Sequence, residues 1–153
     1  MLKLILNFIF FRRFRLNKRL NKLIEEQRSE WTEEILEALF KGMSLMLCVD
    51  KDFSRNIKNF NARYLFKSMD AEITVAAIFK NNKMKVREKE IADTNITIIF
   101  KDHRVLMNFL LSPRQDILQS ILKQEISYKG NLNYLSKFAY MSKSLQLMAE
   151  GKK

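Results

Sequence analysis

His103 is the one histidine of this 153-residue chain and Cys48 its one cysteine. Any histidine- or cysteine-based catalytic or metal-binding arrangement must therefore be built around these two residues. An imidazole works as a base or a ligand only with a second group oriented toward it. His103 follows Asp102, a residue able to cap a helix, so a solvated histidine is the better account. Cys48 lies among Leu45, Met46, Leu47 and Val49 and reads as a small buried hydrophobe. A single cysteine excludes an internal disulfide and a cysteine metal cluster. The acid pairs Glu25/Glu26, Glu33/Glu34 and Glu88/Glu90 fall in charged stretches, where solvation explains them. Gly42, Gly130 and Gly151 are the only glycines, which leaves no phosphate-cradling loop. The chain reads as a non-enzyme, with no catalytic residue, no metal ligand and no cofactor.

What it has in quantity is apolar bulk and positive charge. Twelve Phe and eight Met accompany an apolar content of 47%, ordinary for a globular protein of one domain. Bulky Phe and flexible Met serve equally as packed core or as the wall of a changeable cavity. The net charge of +11 is uneven: residues 1–28 carry eight basic side chains against Glu25 and Glu26, and the other 125 residues carry +5. The chain therefore divides into a basic segment, 1–28, and a domain, 29–150.

The segment opens "MLKLILNFIFFRRFRLNKRL". Its apolar part precedes its basic part, the reverse of a secretory signal, and is too short to span a bilayer. As an amphipathic helix it can lie in a membrane interface. Phe8 and Phe11 would dip in while Arg12, Arg13, Arg15 and Arg19 meet anionic headgroups. Packing on its own domain, on a second copy or on a partner explains the same pattern equally well. Lys80, Lys83, Lys85, Arg87 and Lys89 form a second basic group, on a hairpin tipped by Asn81 and Asn82. Met84 and Val86, not aromatics, interleave it, which favours a solvated sheet face over nucleic acid.

Periodicity supplies the elements. Ile35, Leu36, Leu39, Phe40, Met43, Met46 and Leu47 recur at helical spacing over residues 30–48, and "CVDKDFSRN" reads as a loop. The period then changes to two. Phe60, Ala62, Tyr64 and Phe66 share a strand face, followed by Ile73, Val75, Ala77 and Phe79, by Met84 and Val86, and by Ile96, Ile98 and Phe100. These four strands are expected as an antiparallel meander with one face covered and one mostly wet. Two short helices follow, the second with a capping box from Ser112 and Gln115 behind Pro113. A strand over 124–129, a corner at Gly130, an N-cap at Asn131 and a helix over about 132–148 complete the chain. The expected fold class is α+β: a five-stranded, mainly antiparallel sheet with helices packed on one face, plus the N-terminal amphipathic helix.

"TNITIIFKDHRVLMNFLLSPRQDILQSILKQEISYKGNLNYLSKF" resembles the C-terminal half of the sterol carrier protein-2 domain, a lipid-binding and lipid-transfer fold. The matching positions are Ile96 and Ile98, Asp102, Leu110 and Leu111, Ile117, Ile126, Gly130, and Leu135 with Phe138. Ser112 stands where the family usually has Gly, and Asn131 where it often has Asp; both are competent caps. The resemblance implies an apolar tunnel between sheet and helices, holding an acyl, isoprenoid or sterol-like ligand. Its walls would come from Leu36, Phe40 and Met43, from Ile98 and Phe100, and from Leu106, Phe109 and Leu110. The last helix would add Leu135, Phe138, Met141 and Leu145. The resemblance implies that ligand as a partner, or a biosynthetic complex to which lipidic quinone precursors are presented. The basic segment 1–28 adds the expectation of an anionic membrane surface or a homo-oligomer. The expected location is cytoplasmic, peripheral on a membrane.

Overall fold

A computed structural model of the chain describes residues 29–111 and 116–149. The first amphipathic run forms α1 (Ser29–Val49), with Leu36, Leu39, Phe40, Met43, Met46 and Leu47 buried. Cys48 is exposed, which corrects its reading as a buried hydrophobe. At about 100° per residue, positions 45, 48 and 49 turn away from the buried stripe, and Leu45 and Val49 are exposed with it. The following stretch is helical, not the expected loop. Asp50 accepts the backbone N–H of Phe53 at 2.8 Å, opening α2 (Lys51–Ser54) and a 3-10 turn (Arg55–Ile57). One helical turn apart, Phe53 and Ile57 are both buried.

Five strands follow in one sheet: β1 (Ala62–Ser68), β2 (Thr74–Lys80), β3 (Lys83–Arg87), β4 (Ile96–Phe100) and β5 (Ile126–Gly130). Asn81 and Asn82 take φ of 54° and 57° and close the β2–β3 hairpin as the two-residue turn expected of them. The spatial order is β3-β2-β1-β4-β5. β4 therefore does not extend the meander past β3; it returns to β1 and pairs with it in parallel, from Tyr64↔Ile96 to Ser68↔Phe100. Asn95 fixes that return. Its side-chain oxygen accepts from the Arg63 N–H at 2.8 Å, and its own N–H donates to the Arg63 carbonyl at 2.9 Å. The other pairings are antiparallel.

Between β4 and β5 lie α3 (His103–Leu111) and α4 (Ile117–Leu122), and α5 (Leu132–Ala149) closes the fold. Asp102, as expected, caps α3 through the Val105 N–H at 2.9 Å. Asp116 caps α4 through the Gln119 N–H at 2.9 Å; the box expected on Ser112 and Gln115 lies outside the described residues. Asn131 caps α5 through the Asn133 N–H at 2.9 Å.

Inward-facing Tyr64, Phe66, Val75, Phe79, Ile96, Ile98 and Phe100 join α1, α3 and α5 in one apolar cluster. The helices thus pack on one face of a mainly antiparallel sheet. Phe138 of α5 anchors the layer, its ring centroid 5.0 Å from Phe66, 5.4 Å from Tyr64 and 5.6 Å from Phe40. The opposite face is not uniformly wet. Ala76, Leu65 and Thr97, aligned across β2, β1 and β4, are buried there. The expected N-terminal amphipathic helix lies outside the described residues.

Candidate functional site

Of the wall residues expected from sequence, Leu36, Phe40, Met43, Ile98, Phe100, Leu106, Leu135, Phe138, Met141 and Leu145 fall in the one buried cluster, with half-buried Phe109 against it. The side chain of Leu110 lies outside the described part. Where α5 crosses β4 and β5, these groups leave a hollow. It is lined by Phe66, Ile98, Phe100, Phe109, Ile117, Ile126, Leu135, Phe138, Ala139 and Ser142. The hollow measures about 20 Å³. That is room for roughly one water, far from the ~300 Å³ and more of a typical ligand pocket. Aromatic rings fill the rest: Phe100 meets Phe109 with centroids 5.8 Å apart, and Phe66 meets Phe138. Leu36, Phe40, Met43, Leu106, Met141 and Leu145 do not line the hollow; they pack around it.

Sequence reasoning missed Phe66, Ile117, Ile126, Ala139 and Ser142 as lining groups. The signal for Ser142 was present. It stands four residues after Phe138 and three before Leu145, a polar residue on the apolar stripe of α5. Its side chain is buried, and its Oγ has no hydrogen-bond partner.

Among the described residues no ionisable group lines the hollow. Nearby, the Tyr64 hydroxyl donates to the Tyr134 carbonyl at 2.7 Å, and burial pushes its phenol above the usual range. Ionisable contacts gather at the edges instead. Where α1 meets β3, Glu37 and Glu88 share a hydrogen bond that raises the Glu88 carboxyl and lowers that of Glu37, with Lys41 also holding Glu37 down. At the β1–β2 turn, Asp70, Glu72 and His103 bring potential ligand atoms within 4.8 Å of one another, a grouping the sequence spacing hid. Asp70 and Glu72 are exposed there, and Asp70 already accepts from the Ser68 hydroxyl and the Glu72 N–H. Solvated carboxylates account for this group.

The expected membrane contacts Phe8, Phe11, Arg12, Arg13, Arg15 and Arg19 lie outside the described residues. Lys80, Lys83, Lys85, Arg87 and Lys89 are all exposed. Among the described residues no helix is long and apolar enough to cross a membrane.

No family model and no curated protein matches the sequence. Solved structures do match the fold. A UbiJ-SCP2 ubiquinone synthesis protein superposes with a TM-score of 0.56 at 14% identity, covering 76% of this chain and 96% of that one. The sterol carrier protein domain 2 of Helicoverpa armigera superposes at 0.51 with 16% identity, over 81% of this chain and 88% of that one. The inverting sec-alkylsulfatase Pisa1 from Pseudomonas sp. matches 69% of this chain at a TM-score of 0.51 and 12% identity, through 15% of its own length. The fold is sterol carrier protein-2-like.

Proposed function

We propose that this chain is a non-catalytic carrier enclosing one hydrophobic ligand, acyl, isoprenoid or sterol-like, between its sheet and α3, α4 and α5. The basic segment 1–28 would hold it at an anionic membrane surface. The observation that carries the reading is the apolar hollow at the sheet–α5 junction of a sterol carrier protein-2-like fold. Binding there needs no reactive group. Each buried CH₂ contributes about 0.8 kcal/mol, so ten contribute about 8 kcal/mol before ordering costs.

At about 20 Å³ the hollow holds no lipid, so entry requires displacement of a wall. α4 is the wall suited to yield. None of its residues is fully buried, Leu118 and Leu122 face solvent, and elements with few buried contacts open at the least cost. A ligand that binds only the open form shifts the population toward it. Incubating the full-length protein with a mixed lipid extract, followed by native mass spectrometry, tests the reading. One retained lipid per chain is expected, and protein that stays empty contradicts it. Flotation with phosphatidylglycerol vesicles tests the surface contact. The R12E/R13E/R15E/R19E variant is expected to lose vesicle binding while retaining lipid uptake.

A second reading rests on the likeness to the ubiquinone synthesis protein. The chain would then present lipidic precursors to a biosynthetic complex, and segment 1–28 would dock on protein. The same four-Arg variant would in that case dissolve a complex and leave vesicle binding unchanged.

A further inference from the structure

Ser142 is 7% exposed, and its hydroxyl meets no partner. A serine inside a helix ordinarily satisfies its hydroxyl on the carbonyl one turn back, here that of Phe138, and this one does not. A buried, unsatisfied hydroxyl is costly to keep. Its surroundings indicate its use. Ser142 lines the hollow together with Phe66, Phe100, Phe138, Ile98 and Leu135, and it is the one polar side chain among the described lining residues.

We propose that Ser142 is the polar anchor of the ligand site and selects a neutral lipid bearing a single hydrogen-bonding oxygen: a long-chain alcohol, ketone or phenol. This rests on the enclosed-ligand reading above and narrows it. A hydroxyl both donates and accepts, so it can hold an alcohol or phenol O–H or donate to a ketone. The same site disfavours carboxylates and phosphates. Among the described residues no cation and no second side-chain donor lines the hollow, and an ionised head buried without a partner is strongly penalised. The hollow at Ser142 accommodates about one oxygen-sized group. The ligand's oxygen would sit there, and its apolar body would extend toward Ile117 and Phe109, where α3 and α4 form the wall.

The test uses the full-length protein loaded with the neutral fluorescent probe N-phenyl-1-naphthylamine, displaced by 1-decanol, 1-chlorodecane or decanoate at pH 8. Ser142→Ala is expected to weaken 1-decanol about threefold to tenfold, the net worth of one hydrogen bond, and to leave 1-chlorodecane unchanged. Ser142→Thr, which keeps the hydroxyl, is expected to restore 1-decanol binding. Comparing one variant across two competitors cancels their different solubilities in water. Equal weakening of both competitors by Ser142→Ala, or no effect on either, overturns the anchor and leaves the carrier reading intact. Decanoate binding more tightly than 1-decanol also overturns it. Failure of every competitor and of the probe itself to bind overturns both.

Discussion

The Tyr64 hydroxyl donates a 2.7 Å hydrogen bond to the backbone carbonyl of Tyr134, 70 residues further along the chain. The bond ties the middle strand to the first turn of α5 beside the candidate site. It also makes stability depend on pH in one direction. Burial, with a smaller contribution from Tyr134, raises the Tyr64 pKa, while an unfolded phenol ionises near pH ~10. Above that pH the unfolded chain has lost a proton that the native protein keeps, so stability falls as pH rises. Below it, this contribution is constant. Tyr64→Phe is expected to cost about 1 kcal/mol at neutral pH and to remove this share of the alkaline loss. Urea midpoints of both proteins at pH 8 and pH 11 check the prediction, because the lysine titrations common to both cancel in the difference.

Gly130 has φ of +116°, and a Cβ there would run into the carbonyl oxygen of Asn95. Asn95 already receives the Asn131 N–H on that oxygen and clamps Arg63 with its side chain. One substitution therefore strains the junction of β1, β4 and β5. Gly130→Ala is expected to cost about 2–4 kcal/mol, read by thermal denaturation. A change within a few tenths of a kcal/mol would show that the corner relaxes freely.

Phe138 touches Phe40, Phe66 and Tyr64 and borders the hollow. Phe138→Ala is expected to cost about 3–5 kcal/mol while enlarging the hollow. Chemical denaturation gives the first quantity, and binding of N-phenyl-1-naphthylamine, expected to tighten, reports the second. Unchanged probe affinity would place the probe elsewhere.

Much of this fold was legible because burial writes a period into the chain. Tyr64 with Phe66 and Ile96 with Ile98 show the strand faces at period two, and Leu36, Phe40 and Met43 show the helix face. Caps were legible where one side chain decides them, as at Asp102 and Asn131. The parallel pairing of β1 and β4 was not, since alternation tells which face is buried and nothing about the neighbouring strand. The Asn95–Arg63 clamp that selects the partner spans 32 positions. Cys48 was misread because apolar neighbours in sequence are not neighbours on a helix. The lining of the hollow was only partly legible. Core and wall residues are the same residue types, and the distinction depends on how Phe109 and Phe138 fill space.

The most direct measurement of the carrier claim is intermolecular NOE spectroscopy on full-length protein with ¹³C-methyl-labelled Ile and Leu and unlabelled 1-decanol. Contacts from the decanol chain to Ile98, Ile117, Ile126 and Leu135 are predicted. Contacts confined to exposed Leu45, Leu118 and Leu122, or none at all, would contradict a ligand held between the sheet and its last helix.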